Sequence, residues 1–318
     1  MGDKPRLIVV AGPTASGKTA CAVELCRMID GEVVSADSMQ IYRGMDVLSA
    51  LPSEAEMRGV PHHMLGIADP SEKFSAAMYR DRAKEIIAEI LSRGKRAVVC
   101  GGTGLYINAL TRPLSFSERS DEKLHDALMA LADEPGGRRK LHAMLSEVDP
   151  DSAARLHEND VRRVVRAIEI FRLTGRTQTE QARLDAQREG DYNETIFALD
   201  WPRDALYARI DQRVDRMIEA GLIDEVRRLM QDAQRYPTAA QAIGYKEIAA
   251  ALMGRTSMEE AVDKVKQATR NFAKRQLTWF RRDPRTIWIP GEGRTAEEIA
   301  REMCTRLETE SVGAEPGC

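Results

Sequence analysis

The clearest chemical signature in the chain lies near its start. Gly12-Pro13-Thr14-Ala15-Ser16-Gly17-Lys18-Thr19 follows a short apolar run and fits the spacing G-x-x-x-x-G-K-[ST]. Such a loop turns backbone N–H groups and a helix N-terminus toward phosphate oxygens, and Lys18 adds a compact positive charge. Thr19 is placed to ligate Mg²⁺. The loop alone does not say what the phosphates are attached to. Enzymes that hydrolyse nucleoside triphosphates set an acid at the end of a neighbouring apolar strand, but here the run 96–100 closes on Cys100-Gly101-Gly102-Thr103-Gly104-Leu105-Tyr106. The acid stands instead after the second apolar run, in Ser35-Ala36-Asp37-Ser38-Met39-Gln40. Asp37 is therefore the candidate base beside the phosphate loop, although an aspartate at a strand end also serves as a turn residue.

These groups need a scaffold, and the apolar pattern predicts one. Residues 7–11 read as a buried strand, 18–29 as an amphipathic helix, 32–36 as a second strand, 75–93 as a helix and 96–100 as a third strand. Residues 195–200 and 286–289 restore strands, with long helices over 204–230 and 258–282. The alternation calls for an α/β fold, a P-loop NTPase-like parallel sheet flanked by helices. Residues 114–194 carry no strand pattern and are studded with Arg, so they read as an all-helical insertion domain. The core is then built from 1–113 and 195–318, the latter bringing basic C-terminal helices.

Composition bounds the partners. With 47 Lys and Arg against 50 Asp and Glu, the net charge of −3 gives no global attraction to nucleic acid, so any such surface must be local. The basic residues Lys264, Lys266, Arg270, Lys274, Arg275, Arg281, Arg282 and Arg285, with Asp283 the one acid between them, form a local run where phosphates can bind. The aromatics within it, Phe272, Trp279 and Phe280, read as core-facing. Cys21, Cys26, Cys100, Cys304 and Cys318 contain no C-x-x-C pair, which fits reduced thiols in a cytoplasm. No run of about 18 apolar residues suggests a membrane span, no signal peptide is expected, and the polar stretch 310–318 reads as a frayed tail.

Taken together, ordered segments over most of the chain resemble the tRNA dimethylallyltransferases, also called isopentenyl-diphosphate:tRNA transferases. They are the phosphate loop, Asp37-Ser38-Met39-Gln40-Ile41-Tyr42-Arg43-Gly44-Met45-Asp46, Pro61-His62-His63 and Gly101-Gly102-Thr103-Gly104-Leu105-Tyr106. Further segments are Leu156-His157-Glu158-Asn159-Asp160 followed by 162–169, Arg209-Ile210-Asp211-Gln212-Arg213, residues 241–247 and residues 269–280.

The resemblance implies transfer of a dimethylallyl group from dimethylallyl diphosphate to N6 of the adenine at tRNA position 37, with diphosphate as leaving group. By residue-by-residue match, Asp37 is the general base and Thr103 stands beside the reacting centre; from the sequence alone, Thr103 reads as a helix N-cap. Gly12, Pro13, Thr14, Ala15, Ser16, Gly17, Lys18, Thr19 and Arg209 match the diphosphate site, with Mg²⁺ as cofactor. Arg213 shares the helical face of Arg209. The tRNA anticodon loop is expected at Asp37, Ser38, Met39, Gln40 and Thr103, at Asp160, Val161, Arg162, Arg163 and Val164, and at Gln241, Ala242, Ile243, Gly244, Tyr245 and Lys246. His125 falls where many members carry an arginine that reaches tRNA. Two further departures are Leu51 in place of a lysine and Glu158 in place of a proline. His62 and His63 read as loop-packing residues. A monomer is expected. The alternatives are a P-loop small-molecule kinase with the insertion as its lid, a prenyltransferase acting on free adenine nucleotides, and a nucleotide-dependent RNA-binding module.

Overall fold

The computed structural model describes residues 4–115, 121–231, 236 and 238–312. Along the chain the first elements are β1 (Arg6–Ala11), α1 (Lys18–Ile29), β2 (Gly31–Ser35), α2 (Glu54–Met57), β3 (His62–His63), α3 (Ala76–Ser92), β4 (Arg96–Gly101) and α4 (Gly104–Thr111). Five helices follow: α5 (Glu122–Asp133), α6 (Gly137–Val148), α7 (Pro150–Arg155), α8 (Val161–Thr174) and α9 (Gln178–Ala186). The chain closes with β5 (Asn193–Asp200), α10 (Arg203–Glu219), α11 (Leu222–Gln231), α12 (Tyr245–Leu252), α13 (Met258–Arg281), β6 (Thr286–Pro290) and α14 (Ala296–Val312).

The six strands form one parallel sheet in the order β3-β2-β4-β1-β5-β6. Both faces are covered, which explains why the central strands read as unbroken apolar runs. In β1, Leu7 and Val9 enter a core with residues of α3, α4, α11 and α12, while Ile8 and Val10 enter a second core with α1 and α14. The parallel α/β architecture expected from the sequence is the one found.

Contacts divide the chain into one unit drawn from Met1–Thr111 and Tyr192–Cys318 and another, Arg112–Asp191. The second unit has its own core, including Leu128, Leu141, Leu145, Val164, Val165 and Ile168. It also contains a buried polar knot. Asp149, 3% exposed, accepts hydrogen bonds from the N–H and hydroxyl of both Ser152 and Thr179. Burial alone would raise the Asp149 pKa, but these four donors hold it below the ordinary carboxylate value.

Several element boundaries differ from the sequence expectation. The helix expected over 204–230 is two helices, because Gly221 adopts φ 96° between α10 and α11 and stops the first. His62 and His63 are a short edge strand paired to Val33 and Val34 of β2, not loop residues. Residues 310–312, expected in a frayed tail, continue α14, and the remainder of that tail with Cys318 lies outside the described residues. No helix among the described residues is long and apolar enough to cross a membrane.

Candidate functional site

The site is assembled at the C-terminal edge of the sheet, where β1, β2 and β4 end side by side. At Gly12, φ is 144°, and a Cβ would stand 3.1 Å from Ser16 Oγ and 3.3 Å from the Leu199 backbone nitrogen. Only glycine fits that turn. Ala15 and Gly17 then both take left-handed conformations, with φ 62° and 88°. An alanine in that region is strained by about 1 kcal/mol or more, so something must hold it. Arg209 Nε donates to the Ala15 carbonyl at 2.8 Å, and Trp201 Nε1 donates to the Ser16 carbonyl at 3.0 Å. The Arg209 guanidinium in turn lies 4.2 Å over the Trp201 ring. These bonds fasten two loop carbonyls to α10 and the segment before it.

The base side of the site is built by an unusually close approach of two strand ends. Ala36 N–H donates to the Cys100 carbonyl at 2.8 Å, and Thr103 N–H donates to the Ala36 carbonyl at 3.1 Å. A Cβ on Gly101 would lie 2.2 Å from that same Ala36 oxygen, so glycine is obligatory where β4 passes β2. Thr103 Oγ1 accepts the Ser38 N–H at 3.0 Å. Thr103 does stand at the N-cap position of α4, where its carbonyl accepts the Ile107 N–H at 3.2 Å, but its side chain serves the β2 turn instead of the helix. Asp37 Oδ1 accepts the Met39 N–H at 2.9 Å, an Asx turn. Asp37 Oδ2 has no hydrogen bond from the described residues, so the same side chain fixes its turn and keeps one oxygen for chemistry.

Lys18, Thr19, Asp37, Arg213 and Gln276 line one pocket of about 50 Å³, with Val33, Leu65 and Phe272 among its apolar walls. Burial lowers the Lys18 pKa, Arg213 lowers it further, and the charge of Asp37 opposes the shift. Arg213 shows the same pattern, lowered by burial and raised by Asp37. Two cations and one carboxylate therefore share a partly dry space, where charge on a ligand is felt strongly. Thr19 hydrogen-bonds Cys100, whose thiol is pushed up to about 11 by burial and so stays neutral. The described cysteines are all free.

Some residues singled out from sequence are not where they were expected. Arg213, expected only to share a face with Arg209, lines the pocket itself. Phe272, read as core-facing, is a pocket wall, and Trp279 is 38% exposed; Phe280 is buried at 2%. His62 also lines the pocket, its ring nitrogen Nδ1 bonded to the Val60 carbonyl at 2.8 Å. Gln276 carried no assignment and has no local signal, since a glutamine on a charged helix reads as solvated.

Among the residues expected to meet tRNA, Arg162, Arg163, Gln241 and Lys246 are exposed. Val164 is 1% exposed inside the core of the helical unit, so its side chain packs α8 and offers no surface. Ala242 and Tyr245 are likewise buried, at 4% and 9%. His125 Nδ1 lies 2.6 Å from the buried Glu169. The basic run 264–285, on α13 and just beyond it, is half committed: Lys266 pairs with Asp215, Arg270 with Asp211, Arg281 with Asp200, and Arg285 with Glu194 and Asp283. Those pairs remove much of the local positive charge that the linear sequence suggested.

Comparison with known proteins gives a consistent answer. The family model described as IPP transferase matches residues 40–283. A tRNA dimethylallyltransferase of Geobacter metallireducens is 48% identical over 92% of this chain and 94% of its own. The crystal structure of a tRNA isopentenylpyrophosphate transferase from Staphylococcus epidermidis is 38% identical, covers 96% of this chain and 100% of its own, and superposes with a TM-score of 0.71. A eukaryotic dimethylallyltransferase crystallised in the course of acting on tRNA is 26% identical, covers 98% of this chain and 80% of its own, and reaches a TM-score of 0.81. With a family match over most of its length and near-full-length relatives at this identity, the chain belongs to the IPP transferase family, the tRNA dimethylallyltransferases.

Proposed function

We propose that this enzyme joins the dimethylallyl group of dimethylallyl diphosphate to N6 of the adenosine at tRNA position 37, beside the anticodon. One observation carries the proposal: a phosphate-loop lysine and a carboxylate with an uncommitted oxygen face the same small pocket. A binding module needs no base there; a P-loop kinase would also use one, and the near-full-length tRNA dimethylallyltransferase relatives favour prenyl transfer over that reading.

The exocyclic amine of adenine is a weak nucleophile because its lone pair is delocalised into the ring. As the N6–C1 bond forms, the N6 proton passes to Asp37 Oδ2. The C1–O bond breaks, and its electron pair leaves with the diphosphate. Lys18, Arg213 and the loop N–H groups, with Arg209 behind them, neutralise the charge that accumulates on the departing oxygens. Thr103 Oγ1 already accepts the Ser38 N–H, and its own proton makes only a long 3.4 Å contact to Ser38 Oγ. That proton is available to the bridging oxygen.

Mg²⁺ fits the donor set at Thr19. Its hydroxyl is a hard oxygen donor, and the described residues contain no group of three His, Cys, Asp or Glu that would form a protein cage. Mg²⁺ characteristically binds through one or two protein oxygens with phosphate oxygens and water. When bound, it supplies further charge neutralisation to the diphosphate.

A stacked base cannot present N6 to Asp37, so the target nucleotide is extruded into the crevice, with residues 37–40 lining its pocket. Asp160, Val161, Arg162 and Arg163, together with Gln241 and Lys246, contact the rest of the tRNA anticodon loop, and His125 stands where an arginine reaches tRNA in many members. The enzyme works as a cytoplasmic monomer. Incubation with carbon-labelled dimethylallyl diphosphate, Mg²⁺ and unmodified tRNA tests the proposal. Label in the tRNA at adenosine 37 supports it, whereas phosphate transfer from ATP to a small acceptor overturns it.

A further inference from the structure

Gln276 of α13 is buried at 5% and reaches across the pocket to two segments remote in sequence. Its Oε1 accepts the Thr14 N–H of the phosphate loop at 2.8 Å, and its Nε2 donates to the Gly102 carbonyl at 3.0 Å. The orientation of the amide is dictated by its partners, because a peptide N–H only donates and a carbonyl only accepts. The fit is tight: a Cβ on Gly102 would lie 2.1 Å from Nε2. Gly102 is followed by Thr103, whose N–H holds Ala36 and whose hydroxyl oxygen holds Ser38, the residues flanking Asp37. One side-chain amide therefore connects the segment that grips the leaving group to the segment that carries the base.

We infer that Gln276 is a positioning residue, setting the distance between the phosphate loop and the Thr103–Asp37 side of the site. The inference rests on the prenyl transfer proposed above. Glutamine suits the task because it offers an acceptor and a donor at once. A carboxylate cannot donate, and an apolar side chain can do neither. A protonated carboxyl, in contrast, has the same shape and can serve both partners. Because Thr14 N–H is held by Gln276, this N–H braces the loop, and the remaining loop amides with Lys18 bind phosphate.

The test uses the full-length enzyme with labelled dimethylallyl diphosphate and tRNA, following kcat and KM for each substrate from pH 5.5 to 8.5. In Gln276→Glu the ionised carboxylate repels the Gly102 carbonyl and draws on Lys18 and Arg213, the cations facing it, while Asp37 repels it. A displacement of about 1 Å at a reacting centre costs on the order of 100-fold, so kcat/KM for the prenyl donor falls by about that factor at pH 8. As the pH drops and the new carboxyl takes up a proton, the ratio of variant to wild-type activity climbs back toward one. Gln276→Met stays impaired at every pH, and tRNA affinity is unchanged in both. Gly102→Ala, which retains the glutamine but displaces it, reproduces the defect and covers the case in which the Gln276 variants do not fold. A flat activity ratio across pH, or full kcat in Gln276→Met or Gly102→Ala, overturns the inference. Wild-type enzyme that leaves tRNA unlabelled overturns the functional reading instead, so the two failures are told apart.

Discussion

Replacing Asp37 by Asn separates the two jobs of that side chain. Oδ1 holds the Met39 N–H at 2.9 Å, and an asparagine oxygen accepts the same bond, so the turn survives the substitution. What disappears is the ability of the second oxygen to take a proton. General-base assistance is worth roughly 10²- to 10⁴-fold, which raises the barrier by about 3–5 kcal/mol at 1.36 kcal/mol per tenfold. The structure also fixes the direction of the binding effect. Asp37 faces Lys18 and Arg213 and opposes the fall in both their pKa values, so removing its charge frees both cations for the diphosphate. KM for dimethylallyl diphosphate should therefore stay level or drop while kcat falls about 1,000-fold. Single-turnover transfer of labelled prenyl group to tRNA, with a thermal melt to check the fold, measures both. A variant with wild-type kcat, or one whose whole defect lies in KM for the donor, would refute the assignment of Asp37 as base.

Other consequences follow from the same geometry. Gly101→Ala places a Cβ 2.2 Å from the Ala36 carbonyl and should destabilise the protein by about 3 kcal/mol or prevent folding, read by urea denaturation. Arg162→Ala with Arg163→Ala should weaken tRNA binding and flatten the slope of log K against log salt by about 1–2; an unchanged slope removes this part of α8 from the tRNA surface. The Asp149 carboxylate has a folded pKa below its unfolded value near 3.9. Its stabilisation is fully present above about pH 4 and is lost as pH falls through the folded value. Asp149→Asn should accordingly cost about 2–3 kcal/mol near neutrality and abolish that acid-dependent component, as seen in melts of the protein between pH 2 and pH 7.

Much of the scaffold was legible because it is encoded locally. The strands of a doubly covered parallel sheet are mostly apolar on both faces, so β1 and β4 announce themselves as short apolar runs, while β2 keeps only Val33 and Val34 between Glu32 and Ser35. The phosphate loop is legible for a similar reason: its spacing records backbone turns that glycine alone allows at Gly12 and Gly17. Elements without a local period escaped. The edge strand His62–His63 is two residues long and exists only because β2 offers it an unpaired edge. The break at Gly221 hides inside a pattern that remains amphipathic on both sides.

Side-chain roles divide along the same line. By itself the sequence determined the chemistry that could be done: a loop shaped for phosphate, an acid after β2 instead of β4, and, through the ordered motifs, membership of a prenyl-transferring family. It could not say which of two arginines a turn apart on α10 reaches the pocket; Arg209 braces the Ala15 carbonyl and Arg213 lines the site. Nor could it show that half the basic run 264–285 is neutralised by Asp200, Asp211, Asp215 and Glu194, or that Gln276 joins Thr14 to Gly102. Each of these depends on partners distant in the chain, and hydrophobic periodicity carries no record of which remote group a polar side chain will meet. Only packing the helices on the sheet decided those meetings, because burial strongly favours a partner for each polar group where the fold happens to place one.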